Sequence, residues 1–475
     1  MMIIKDTAPS PLLDGSSRYL DRFRTGLYSC LTRRSEALFE LTDAVACTGS
    51  PVNDLAHLSL EAEHPRGHGA LYDALNSGVI DAGGLRSLTC TGTLPRILGP
   101  DGRGRLVLAV DVSNWLRPDA ATSAERSFCH TYARGHGQAQ MIPGWPYSFV
   151  CALESGASSW TALLDAVRIR PGEDATAATA GQLRTVVEEL TRAGHYREGD
   201  PEVLIVMDAG YDVVRLAWLL DDLPVILIGR LRSDRVFYAP AGTRQGPTKG
   251  RPPRHGTKLV LRDAATHPEP AVVTGNDTPR YGHVEASAFA RMHPKIDSRG
   301  GWKAHEGQLP VMEGTVVGLR VEYLPGNRDP KPVWLWVSKP VPDSGTELDH
   351  WWSMVIRRFD LEHTFRFMKQ ALGWTRPRLR DPAAADRWTW LIIAAHTQLR
   401  LARPLAADHR LPWQKPLATT MLTPARVRAG YRRICLTAVH PAREPKPIRP
   451  GPGRPKGRKN RVKAAVQPIG KPTKG

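Results

Sequence analysis

The chain lacks the features that would place it in a membrane, in an oxidising compartment or among nucleotide hydrolases. Its apolar runs end after six or seven residues, far short of the ~20 needed to cross a bilayer. The opening Met1-Met-Ile-Ile-Lys-Asp6 has no signal-peptide core. A cytoplasmic protein with no membrane partner is therefore expected. The six cysteines stand 17 or more residues apart, without a C-x-x-C pair or a histidine at zinc-finger spacing, so they read as reduced thiols. Gly246-Pro-Thr-Lys-Gly250 has neither the spacing nor the strand context of a phosphate loop, which argues against ATP use. Acids are also scarce: 47 Asp and Glu face 65 Lys and Arg, a net charge of +18. That excess implies a polyanionic partner, DNA or RNA in the usual case.

Two of the acids stand where acids are costly. Leu106-Val-Leu-Ala-Val-Asp111-Val112 is apolar enough for a strand buried on both faces, and Val203-Leu-Ile-Val-Met-Asp208 is a second such strand ending in an acid. An unpaired carboxylate loses several kcal/mol on burial, so each acid must lie at an exposed strand end or be bound to something, and a metal ion is the first candidate. Two parallel strands delivering one aspartate each, with a third acid from a helix, can hold divalent metal at a phosphodiester.

At 475 residues the chain has room for about two to four domains, and its composition changes along its length. Residues 1–100 read as a helical N-terminal domain, with Ser35 as N-cap of a helix to Cys47 and short helices near 52–60, 68–77 and 81–90; a cluster of short helices suits DNA binding or a structural cap. Residues 101–233 alternate strand and helix, including helix-like segments at Trp160–Arg168 and 177–193, and form the first part of an α/β core. Residues 234–342 switch to short alternating strands punctuated by Pro and Gly, a β-rich insertion with a basic loop at Thr243–Arg254. Helices return over 343–405, and 406–440 is a C-terminal extension. From His440 onward eleven Lys or Arg face one acid, Glu444, a net +10, so 441–475 reads as a disordered basic tail whose Gly453-Arg-Pro-Lys-Gly457 suits phosphates or the minor groove.

The third acid comes from the helical run Trp352–Leu372. At 100° per residue Arg358, Glu362 and Lys369 share a ~40° arc, flanked by Val355 and Phe359 on one side and Phe365 and Leu372 on the other. Taken alone, this stripe reads as a salt-bridged surface face; the two acid-tipped strands upstream favour a site instead.

Arg358-x3-Glu362-x6-Lys369, together with Asp111, Asp208 and the insertion between the second Asp and Glu, resembles the Y-x2-R-x3-E-x6-K group of the DDE transposases encoded by bacterial insertion sequences, over residues 105–403. Val355 stands where that signature has its Tyr, a residue that helps hold the terminal phosphate. The resemblance implies an α/β fold of ribonuclease H type with the first two acids on its first and fourth strands. It implies Asp111, Asp208 and Glu362 as catalytic metal ligands for Mg²⁺ or Mn²⁺, two ions, and Arg358 and Lys369 as phosphate contacts. The implied activity is cleavage of element ends and joining to target DNA, by a homodimer in the DNA complex. Arg376 and Arg378, followed by Arg380, extend the basic surface, and Arg454, Lys456, Arg458 and Lys459 add phosphate-binding groups from the tail.

Weaker candidates remain. Asp212 suits a helix cap better than a ligand, His363 points about 100° from Glu362, and His130 and His136 lie in an aromatic-rich run more suited to β core than to base stacking. Two rival functions are a transposase-derived DNA-binding protein that no longer cuts, and a glycosidase-like hydrolase with paired carboxylates; the basic tail argues against the second.

Overall fold

The structure, a computed structural model, describes residues 11–132, 139–156, 158–242, 252–324, 329–446, 457 and 462–471. Arg454, Lys456, Arg458, Lys459, His136 and the basic loop over 243–251 lie outside the described residues.

Twelve strands form one sheet: β1 (Val107–Leu116), β2 (Ser127–Tyr132), β3 (Ala139–Leu153), β4 (Thr161–Arg168), β5 (Val203–Met207), β6 (Val225–Leu231), β7 (Val236–Pro240), β8 (His255–Val260), β9 (Val272–Thr278), β10 (Gly282–Pro294), β11 (Gly314–Val321) and β12 (Val333–Val337). The order β4-β3-β1-β5-β6 makes the core, with β5 parallel to β1 and β6 parallel to β5. The first half of the long β3 pairs with β2, and the second half pairs with β4. This mixed α/β arrangement is consistent with a ribonuclease H-like domain, and β1 and β5 are the first and fourth of its core strands in chain order. Parallel neighbours need a crossover and are covered on both faces, which accounts for the unbroken apolar runs of β5 and β6. The region 234–342 adds no separate sheet. Its β12 pairs antiparallel with β6, so the core sheet runs on through β11 and β10.

The helices are α1 (Pro11–Ser29), α2 (Ser35–Cys47), α3 (Leu55–Leu58), α4 (His68–Ser77), α5 (Ala82–Thr91), α6 (Ala175–Arg192), α7 (Val213–Leu219), α8 (Gly345–Arg357), α9 (Phe359–Gln370), α10 (Pro382–Ala402) and α11 (Pro424–Cys435). α1, α2 and α4 pack on α10, and α2 also packs on α11, so helices from near the two ends of the chain share one apolar core. At its centre Arg24 makes a bidentate pair with Asp43, both bonds at 2.8 Å, and donates to Gln398, which also receives the Tyr431 hydroxyl.

Four expectations are corrected. Trp160–Arg168 is strand, not helix, from Thr161 onward: it pairs with β3, its side chains are buried on both faces, and α5 and α10 pack against it; a strand covered on both sides shows no alternation to betray it. Trp352–Leu372 is two helices. At Arg358 the backbone tightens, with Arg358 N bonded to both the Met354 and Val355 carbonyls and Leu361 N to that of Arg358. Ser35 is the first helical residue, not the cap; Arg34 holds that position at φ 60°, and the Ser35 hydroxyl turns back to the Leu31 carbonyl. Within 441–475, residues 462–471 run extended against the chain before β2: Gln467 N bonds Ala121 O at 2.9 Å, Gly470 N bonds Arg126 O at 2.8 Å, and Phe128 N bonds Gly470 O at 3.2 Å. A Cβ on Gly470 would collide with the Pro171 ring, so the seat needs glycine.

Among the described residues, no helix is long and apolar enough to cross a membrane.

Candidate active site

The register of β1 against β5 decides the site. Val110 stands opposite Met207, so the next residue on each strand, Asp111 and Asp208, emerges at the same level on neighbouring parallel strands. Asp111 Oδ1 accepts from Val112 N at 2.8 Å, and Asp208 Oδ1 accepts from Gly210 N at 2.8 Å, fixing the turn beyond β5. Asp212 caps α7 through Arg215 N at 3.1 Å and does not line the cleft that holds the other acids.

α9 brings the third acid. Its buried face is locked to the sheet by Phe365 edge-on to Phe149 of β3, centroids 5.2 Å apart, and by Thr364 sharing a 2.9 Å hydrogen bond with Thr161 of β4. Trp374 packs on Phe149 at 5.1 Å and carries Lys369 Nζ 5.6 Å from its ring. Glu362 and Lys369 are thereby turned toward the strand ends. Asp111, Asp208, Glu362 and Lys369 line one cleft of about 900 Å³, together with Tyr211, His130 and Thr131.

Arg358, at the junction of α8 and α9, reaches the same place from the side. Its Nη1 lies 2.6 Å from Asp111 Oδ2 and 4.0 Å from Glu362 Oε1. Burial pushes the Asp111 carboxyl up to about 7, against the pull of Arg358 and with added repulsion from Asp208 and Glu362. Burial likewise lowers the Lys369 ammonium, while Glu362 and Asp111 oppose that shift. Three carboxylates converging where one is held above its ordinary range form a site short of positive charge, and their hard oxygen donors suit a divalent ion. Among the described residues, no three acid, His or Cys side chains are close enough together to hold a metal as the side chains stand. Donor chemistry and strand register fit an ion; the rotamers around Arg358 would have to shift to admit it.

The remaining expected residues fall elsewhere. Arg376, Arg378 and Arg380 are exposed on the turn after α9 and do not line the cleft. His363 packs edge-on to Phe359 at 5.2 Å. Trp145 is fully buried. Two features escape a reading of the sequence. Tyr211 follows the second acid, and its buried hydroxyl is raised well above the ordinary tyrosine value by desolvation and by Asp111 and Asp208; its place in Asp208-Ala-Gly-Tyr-Asp212 is the one signal that points to it. Two basic clefts open on the other side of the Asp208 turn, sharing Ala209, Arg230 and Arg232. One adds Arg235 and Lys295, and the other adds Arg262, Arg320 and Lys331 over Trp334. These cations are scattered over several strands and loops of the sequence, so only the sheet collects them.

A family model described as DDE superfamily endonuclease matches residues 26–294, more than half of the chain and inclusive of Asp111 and Asp208; Arg358, Glu362 and Lys369 lie beyond the matched range. No curated protein matches the chain. Endonucleases of this superfamily act on DNA and generally use divalent metal ions. With two strand-end acids in register inside the matched range, the chain belongs to the DDE superfamily endonucleases.

Proposed function

We propose that the chain is a DNA transposase that cuts the ends of an insertion sequence and joins them to target DNA, with Asp111, Asp208 and Glu362 as its catalytic acids. The observation that carries this reading is the shared level of Asp111 and Asp208 on neighbouring parallel strands, with Glu362 facing them across one cleft. The acids would hold Mg²⁺ or Mn²⁺, two ions in the full complex, and bound metal would supply charge neutralisation at the scissile phosphate and an activated oxygen nucleophile. Lys369, half-sunk on Trp374, presents an ammonium beside Glu362 for a phosphate oxygen, and Arg358 offers a planar fork for the next one. Hydrolysis would free a 3′-OH at the element end, and attack of that hydroxyl on a target phosphodiester would join the two, one phosphodiester bond forming as another breaks. A homodimer holding both ends, a DNA-reading role for residues 1–100 and membership of the Y-R-E-K group, despite Val355, belong to the same proposal.

Asp111→Asn, Asp208→Asn and Glu362→Gln are each expected to bring nicking of end DNA, assayed with Mg²⁺ and with Mn²⁺, below detection while DNA binding persists. Wild-type nicking by any one of them removes that residue from the set. Truncation after Lys446 is expected to flatten the plot of log K against log salt by about 0.9 for each duplex phosphate that the tail neutralises, with cleavage of saturated DNA retained; an unaltered slope would show that the tail does not touch DNA.

A further inference from the structure

The protein's own cation stands where an ion would have to bind. Asp111 has one oxygen committed to Val112 N at 2.8 Å; the other, Oδ2, is taken by Arg358 at 2.6 Å. The same Nη1 lies 4.0 Å from Glu362, so a single guanidinium bridges two of the three acids. An ion bound to Asp111 Oδ2 would sit about 2.1 Å from that oxygen, close enough to the guanidinium for their like charges to repel strongly. Arg358 and a metal therefore compete for Oδ2. The Nη1 hydrogen that Arg358 gives Asp111 is likewise unavailable to a phosphate oxygen while that bond stands. Its position at the tightened turn between α8 and α9 leaves the backbone anchored while the long side chain can swing, and that side chain is partly exposed.

We propose that Arg358 is an internal counter-ion that blocks metal loading until DNA draws it away, so that metal and DNA bind cooperatively. The phosphate of bound DNA offers the guanidinium a charge-assisted, bidentate partner; moving there uncovers Asp111 Oδ2 for the ion. Coupling of this kind is reciprocal, so the metal must tighten DNA by the factor by which DNA tightens the metal. The inference rests on the three acids being the metal site.

The test is Mn²⁺ binding to the full chain, read from the electron paramagnetic resonance signal of free Mn²⁺, with and without a short nonspecific duplex. Without DNA, Arg358→Gln is expected to bind Mn²⁺ about ten- to hundred-fold more tightly than wild type, and the duplex to tighten wild type by a comparable factor while leaving the variant unchanged. Arg358→Lys, which keeps a charge without the fork, is expected to fall between, and it serves if Arg358→Gln does not fold. Equal Mn²⁺ affinity in wild type and both variants, or equal tightening of all by the duplex, overturns the counter-ion role. Adding Asp111→Asn to Arg358→Gln is expected to abolish the tight binding. Tight binding that ignores Asp111→Asn would place the ion elsewhere and overturn the functional reading as well, which separates the two failures.

Discussion

Two of the arginine–aspartate pairs in this molecule behave in opposite ways. Arg24–Asp43, between α1 and α2, is fully buried and complete: both carboxylate oxygens are taken by the guanidinium, Gln398 and Tyr431 extend the network, and His440 approaches Asp43 at 3.8 Å. Burial alone would raise Asp43, yet the bonds from His440 and Arg24 carry it below the ordinary carboxylate value. Arg358–Asp111 is shorter, at 2.6 Å, but incomplete. Asp111 has two other acids for neighbours, and its carboxyl is pushed up to about 7. The first pair is satisfied and holds the fold. The second gathers like charges at a cost in stability, which suits the cation-binding role proposed for it.

The comparison can be broken most severely at Arg24. Arg24→Ala strands the Asp43 carboxylate among apolar side chains and is expected to remove about 3–5 kcal/mol of stability, measured by denaturant unfolding; a loss under about 1 kcal/mol would mean that water reaches Asp43.

The next contrast is in the two aspartates. For Asp111 the folded value lies above the unfolded one, so the native state binds the extra proton and stability declines as pH rises from about 4 to 7. Asp111→Asn should abolish that decline in metal-free buffer and stabilise the protein at pH 8 by up to about 4 kcal/mol, three pKa units at about 1.4 kcal/mol each. For Asp43 the folded value is lowered, so its contribution is present above the unfolded value and disappears as pH falls below it; Asp43→Asn should destabilise at pH 8. Melting temperatures of the two variants moving in the same direction would dissolve the distinction.

The smallest effect is expected at Arg358. Because Asp111 can take up a proton near neutrality, Arg358→Ala should change stability by less than about 1 kcal/mol, although it should alter metal and DNA binding. A loss as large as that of Arg24→Ala would make Arg358 a structural residue.

What can be read from the sequence follows the same division. Asp111 and Asp208 stand out because an acid interrupting an apolar strand violates a strong local rule, and the parallel pairing of β1 with β5 then puts them side by side. Glu362 is legible through its spacing to Arg358 and Lys369. The strand at Thr161–Arg168 passes for a helix because two-sided burial erases alternation. The break at Arg358 and its bond to Asp111, 247 residues away, are tertiary and leave no periodic trace. The seating of 462–471 rests on backbone hydrogen bonds and one glycine against Pro171, neither of which composition reveals.

The shared core of α1, α2, α10 and α11 also sets an order of events during synthesis. α2 leaves the ribosome among the first helices, yet the faces it buries belong to α10 and α11, more than 300 residues later. The open edge of β6 similarly waits about a hundred residues for β12. Such long-range pairing is slow and leaves apolar surface uncovered in the nascent chain. The cleft between Asp111, Asp208 and Glu362 therefore cannot exist on a partly made chain: it closes only after α9 and its supporting helices have emerged, and a prematurely terminated product has the first two acids without the third wall of the cleft.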